Sequence, residues 1–355
     1  MNPKMQWLRN KMSSLDLQGI IISNPINIKY LTGIDAEGTL LITRKENIYI
    51  TDGRYIEYVH STLTLFDEII VYDIKDVSKD DYENFFMFCE NVGFEENYVT
   101  YAKYKEYIRK YKINNLVETE YIIEKQRMIK DDEELKDLKI ACEITDNCFS
   151  YILSYIKPGM TEIEIAREIE EYYRQRTDGL SFETIVASGE NTSKPHAVPT
   201  DRKIQKQDII TIDMGCKYHG YCSDMTRTFY CKSVDDEQAN IHDIVRTAVE
   251  KAEAAIKPGA RFCDIDAQAR DYIDEKGYSE YWKIRLGHFI GQEDHEYGDV
   301  SPINKNVAEP GMIFSIEPGI YIEGKYGVRV EDLVLVTEDG HEVLNKVEKK
   351  YRIVG

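Results

Sequence analysis

A duplication constrains this chain more than any other feature of its sequence. Ile156-Lys157-Pro158-Gly159 recurs as Ile256-Lys257-Pro258-Gly259, one hundred residues later. Each copy leads into a helical pattern, with Glu164-Ile165 and Asp264-Ile265 in register. Downstream, Thr211-Ile212-Asp213-Met214-Gly215 has a counterpart in Ser315-Ile316-Glu317-Pro318-Gly319. Each then passes a glycine-containing turn, His219-Gly220 or Lys325-Tyr326-Gly327, and reaches a second acid, Asp224 or Glu331. Two related halves, each a helical unit plus a β-hairpin with two inward acids, predict a pseudo-twofold domain with four carboxylates at its centre.

Such a centre requires a cation. An acid in an apolar strand costs several kcal/mol to desolvate unless something pairs with it, and like charges a few Å apart cannot all ionise unaided. One acid of this kind is an ordinary surface strand position; four at duplicated positions are not. Hard oxygen donors with one imidazole suit manganese, cobalt or zinc better than a thiolate site would. Among the seven histidines, His288 lies in Leu286-Gly287-His288-Phe289-Ile290-Gly291, as either a satisfied core residue or the missing nitrogen ligand. His196, in the proline-bracketed Lys194-Pro195-His196-Ala197-Val198-Pro199, reads as a loop histidine.

The rest of the chain frames this domain. Residues 5–17 have helical spacing, and short β-runs at 19–22, 39–43, 48–51 and 69–71 alternate with helical stretches, clearest at 55–63 and 81–89. That pattern predicts a small α/β domain over residues 1–122, followed by a second domain over 123–355. The second opens on an amphipathic helix, with Asp131-Asp132-Glu133-Glu134 at its positive end and Leu135, Leu138, Ala141, Thr145, Cys148, Ile152 and Tyr155 along one stripe. A balance of 64 acidic to 45 basic residues, −19 overall, argues against a nucleic-acid partner. Seven cysteines without C-x-x-C spacing read as reduced thiols. No apolar run approaches the ~18 residues of a membrane span, and the first seventeen residues lack a continuous signal core, so a cytoplasmic protein is expected. Gly319-x-x-x-x-Gly324-Lys325 resembles a phosphate loop, but Tyr326 replaces the Ser/Thr and β-pattern follows. No G-x-S-x-G elbow or cysteine-nucleophile signature is present.

With these residues in view, the chain resembles the Xaa-Pro peptidases of the creatinase, aminopeptidase P and prolidase group, metallopeptidase family M24. Ser23-Asn24-Pro25-x-Asn27-Ile28-x-Tyr30-Leu31-Thr32-Gly33 and Thr51-Asp52-Gly53-Arg54-Tyr55 are similar to the group's amino-terminal domain. The Ile185–His196 segment and the acids match its catalytic domain. The resemblance implies an α/β (α+β) protein, with a small creatinase-like α/β domain and a pseudo-twofold "pita-bread" catalytic domain. It implies two divalent metal ions, manganese first with cobalt or zinc as alternatives, on Asp213, Asp224, His288, Glu317 and Glu331, with Asp224 and Glu331 bridging. Glu317 would handle the proton, His196 and His295 would contact substrate and intermediate, and Arg329 would support the intermediate or the neighbouring acids. The implied partners are short proline-containing peptides and a second copy in a homodimer; dipeptidase and aminopeptidase P both stay open. A non-catalytic binding module and a metal-independent creatinase-type hydrolase are the competing readings of this fold. The sequence departs from the group at Phe289, where a small residue is usual, at Asp294, where an apolar one is, and at Tyr297-Gly298-Asp299-Val300, where many dipeptidases carry an arginine.

Overall fold

The computed structural model describes residues 2–63 and 68–355. The chain divides into two compact units, Met1–Arg127 and Met128–Gly355. Residues 123–127, expected with the second domain, group with the first. The helix Ile122–Arg127 buries Ile122 and Ile123 in that unit's core, and Gln126 and Arg127 hydrogen-bond to Lys4 and Asn27.

The first unit is built on a mixed six-stranded sheet, with Gly19–Ile22 near its middle and fully buried. An all-apolar run of β-branched residues is what a strand covered on both faces requires. The Ser-Asn-Pro motif that follows starts a helix. Asn24 accepts a hydrogen bond from the Ile26 amide, Pro25 takes the first helical turn, and Gly33 closes Pro25–Thr32 in the left-handed region at φ 76°.

The second unit opens on the helix Asp132–Tyr155. Asp131 and Glu134 cap it reciprocally, and its stripe buries Leu138, Ala141, Thr145, Cys148 and Ile152. The duplication then appears as equivalent backbone hydrogen bonds. Gly159 and Glu162 donate to Ile204 and Arg202, and Gly259 and Phe262 donate to Ala308 and Asn306. Glu162–Arg174 and Phe262–Glu275 are the paired helices. The strands Ile185–Ser188, Ile209–Met214 and Met225–Cys231 form one sheet with Ile353–Val354. Gly287–Phe289, Ile313–Ile316 and Asp332–Val336 repeat that order in a second sheet.

The turn between the first pair of acids is a two-residue hairpin loop. His219 at φ 48° and Gly220 at φ 84° join Tyr218 to its cross-strand partner Tyr221, the left-handed pair that matches strand twist. The phosphate-loop lookalike is a hairpin too, Gly319–Ile322 against Tyr326–Arg329. All seven cysteines are free thiols, with Cys142, Cys148, Cys216, Cys222 and Cys231 buried. Among the described residues no helix is long and apolar enough to cross a membrane.

Candidate metal centre

Strand register brings the duplicated acids to one place. Asp213 lies opposite Thr226 in the first sheet, and Ser315-Ile316 lie opposite Leu333 and Asp332 in the second. Asp224 and Glu331 each stand one residue before the strand that pairs back. The Glu317 amide donates to Leu286 O at 2.7 Å, and the Glu331 amide to Thr226 O at 3.1 Å. The second of these bonds ties the two halves to each other beside the acids.

His288 enters from the neighbouring strand, where Gly287 lets the chains meet: a Cβ there would sit 1.8 Å from Ser315 O. The His288 amide donates to Ser315 Oγ at 3.0 Å, and Nδ1 lies 3.2 Å from Phe289 O. A carbonyl only accepts, so Nδ1 carries a proton there and Nε2 is the nitrogen turned toward the acids. That Nε2 is 3.5 Å from Asp224 Oδ2, 3.5 Å from Glu317 Oε1 and 3.9 Å from Glu331 Oε1. Among the described residues, ligand atoms of Asp224, His288 and Glu331 lie within 4.8 Å of one another. Asp213 is turned toward Arg329, whose Nη2 donates to its Oδ2 at 2.6 Å.

The donor set fits hard divalent cations. Asp213 Oδ1, Asp224 Oδ1 and Glu331 Oε1 are buried without a hydrogen-bond partner, a cost that coordination of a cation would remove. Burial, followed by the neighbouring acids, pushes the Asp224 and Glu331 carboxyls well above their usual range; burial raises Glu317 as well. Bound cations would return all of them to the ionised form.

Arg329 is buried and committed. Besides Asp213 it donates to Tyr321 OH at 2.6 Å, Thr226 Oγ1 at 3.0 Å and Pro195 O at 3.1 Å. Thr226 Oγ1 in turn donates to Glu331 Oε2 at 2.7 Å. Burial disfavours the guanidinium, but Tyr321 and the acids outweigh it and hold it protonated.

The cluster floors a cavity of about 590 Å³ whose walls include His196, His295, Phe182, Glu183 and Arg285. His196 is exposed on its loop. The His295 ring lies 4.0 Å from that of His288, and burial, with His288 next, pulls its pKa down to about 4. It is therefore neutral near pH 7. Behind it, Glu296 forms a buried 3.0 Å ion pair with Lys130.

The model of metallopeptidase family M24 matches residues 136–338, and the creatinase/prolidase N-terminal domain matches residues 4–129. This chain belongs to family M24. A curated relative, the "Uncharacterized peptidase YqhT" of Bacillus subtilis, is 38% identical over 99% of this chain and 100% of its own length. The solved "Xaa-Pro dipeptidase from Bacillus anthracis" superposes with TM-score 0.93 at 36% identity, covering 99% of each chain. The X-Pro aminopeptidase from Thermotoga maritima gives TM-score 0.88 at 30% identity, covering 97% of this chain and 100% of that one. The chain is thus an M24 peptidase with a creatinase-like amino-terminal domain.

The departures from the group fall in different places of the M24 unit. Phe289 is fully buried and packs edge-on against Phe262, with ring centroids 5.4 Å apart, away from the cavity wall. Asp299 accepts from Ser301 and Asn304. Of these, only Asp294 lines the cavity. Arg285 lies in Ile284-Arg285-Leu286-Gly287, which also departs from the group, and it lines the cavity; Glu183 does not stand out in the sequence, because a charged residue beside a strand carries no signal until the fold turns it inward.

Proposed function

We propose that this chain hydrolyses the peptide bond preceding proline at the amino end of dipeptides or short peptides, using two divalent metal ions. One observation carries the reading: three buried carboxylate oxygens without a hydrogen-bond partner stand with the Nε2 of His288 at the floor of a cavity. Likeness to solved Xaa-Pro dipeptidases supports it.

In this reading Asp213, Asp224, His288, Glu317 and Glu331 hold the ions, manganese first and cobalt or zinc as alternatives. Bound there, the ions would supply Lewis acidity, lowering the pKa of a water and polarising the scissile carbonyl. Glu317, ionised beside the bound cations, would take the proton of the attacking water and return it to the proline nitrogen. Neutral His295 donates an N–H toward the developing oxyanion, and His196 contacts the substrate from the facing wall. Arg329, which lines the cavity, aims Asp213 and Thr226. The buried thiols and the lack of a membrane-crossing helix among the described residues fit a cytoplasmic location; a homodimer follows from the family resemblance alone.

Aminopeptidase P activity is the second reading. A further cavity of about 430 Å³, lined by Ile185, His196, Ala197 and Val198, adjoins the first and offers room for residues beyond proline. Hydrolysis of Ala-Pro and Ala-Pro-Ala with added manganese separates the two. Cleavage of the dipeptide alone means dipeptidase, and a preference for the tripeptide means aminopeptidase P. Full activity after Asp224→Asn would sink both.

A further inference from the structure

The segment bearing His196 leaves the strand Ile185–Ser188, makes a short 3-10 turn over Gly189–Ser193, passes Pro195-His196 and returns at Thr200. Both ends of this excursion reach one side chain. Glu162 Oε1 accepts from Ser188 N at 2.7 Å, Ser188 Oγ at 2.7 Å and Asn191 Nδ2 at 3.1 Å. Its Oε2 accepts from Thr200 N at 2.9 Å and Thr200 Oγ1 at 2.6 Å. Glu162 has no exposed surface. We propose that Glu162 is the positioning residue of His196, its carboxylate closing the loop that carries this histidine into the metal-site cavity.

The other half of the domain supplies the internal control. Phe262 occupies the equivalent backbone position, with the matching amide-to-carbonyl bond, and it is buried against Phe289 and Phe314 at ring distances of 5.4 and 5.3 Å. The scaffold therefore accepts an apolar ring at this site and does not itself require a buried acid, which is costly to desolvate. What the first half has there is the His196 loop. The loop's far side is held from the second half, by Arg329 to Pro195 O at 3.1 Å and by the Gly327 amide to Thr192 Oγ1 at 3.0 Å. Loosening the near side leaves the histidine without a fixed direction, while the metal ligands keep their own supports.

Glu162→Gln tests this, because an amide presents one acceptor oxygen and one N–H₂. Whichever way it is placed, one end of the loop faces a donor instead of an acceptor. The inference rests on the peptidase reading of His196, so two independent measurements are made on the full chain. In the first, manganese binding by calorimetry should stay within about twofold of wild type, while kcat/KM on Ala-Pro or Ala-Pro-Ala falls about 10- to 100-fold, the scale of a misplaced catalytic contact. The same change in a His196→Ala background should cost less than about threefold, since coupled residues are non-additive. Losses that simply multiply would overturn the proposal. In the second, hydrogen exchange of residues 189–200 should quicken in Glu162→Gln with the rest of the unit unchanged, and unchanged exchange would overturn the proposal even if no peptide is cleaved. Absence of cleavage by wild type counts against the peptidase reading alone. If Glu162→Gln fails to fold, Thr200→Val removes one hydroxyl donor at one end and should move both measurements in the same direction by a smaller factor; no change in either overturns the proposal.

Discussion

His242 is 1% exposed on the helix Asp236–Ala254, where Nε2–H donates to Lys349 O at 3.0 Å and Nδ1 has no partner. Burial lowers its pKa from 6.5 to about 4. A folded-state pKa below the unfolded one means stability is whole above pH 6.5 and is lost as pH falls toward 4. At pH 5 that loss is about 2 kcal/mol. His242→Phe should show a smaller drop in urea-unfolding free energy between pH 7.5 and 5 than wild type; an equal drop would mean the imidazole does not titrate with unfolding. Glu95, 2% exposed in the other unit, has the opposite sign. Burial raises it from 4.5 to about 7, against donors from Asn27, Ser23 and Asn24. Its contribution is whole below pH 4.5 and declines as pH rises through 7. Relative to wild type, Glu95→Gln should gain stability between pH 5 and 8.5, measured by the same unfolding curves. Neither residue stood out in the sequence, because burial is a property of neighbours far away in the chain.

At the scale of elements, the glycines mark where two strands touch. A Cβ on Gly215 would meet Ser223 O at 2.0 Å, and one on Gly287 would meet Ser315 O at 1.8 Å. Both contacts are with backbone, which cannot swing aside. Gly287→Ala should destabilise the unit by about 3 kcal/mol and weaken manganese binding, since it pushes the His288 strand off Ser315. Gly159, at φ 95° with open space around it, is a control: Gly159→Ala should cost about 1 kcal/mol through its backbone conformation alone and leave metal binding intact. Equal losses in thermal unfolding for the two variants would argue against strand approach as the cause. The hairpins themselves were legible from the alternation of apolar residues and from turns such as His219-Gly220. The crossing contacts between hairpins were not, since nothing local distinguishes Ser315 from any other strand serine.

For the whole molecule the gathered acids oppose folding until a cation joins them. Asp224 is raised by burial and then by the charges of Asp213 and Glu317, and Glu331 by burial and then by those of Asp224, Glu317 and Asp213, so the metal-free fold carries strain that the ions would relieve. Manganese at one hundred times its Kd should stabilise wild type by about 2.7 kcal/mol per site. Asp224→Asn should raise the metal-free Tm by removing an acid whose burial beside Asp213 and Glu317 opposes folding, and should abolish most of the manganese shift. A lower metal-free Tm for that variant would show that the cluster is not repulsive.

The sequence by itself determined the two-domain plan, the pseudo-twofold repeat and the identities of the four duplicated acids, because patterning, turn residues and repeats are local or periodic. The tertiary structure alone decided that His288 faces those acids through Nε2, that Arg329 is spent on Asp213, and that residues 123–127 pack with the first unit. It alone joined Glu162 to Ser188 and Thr200, and Asp332 to both Arg227 and Lys349. Hydrogen bonds and ion pairs act over about 3 Å, whereas these partners are up to 116 residues apart in the chain. Only the closed fold brings them within that range.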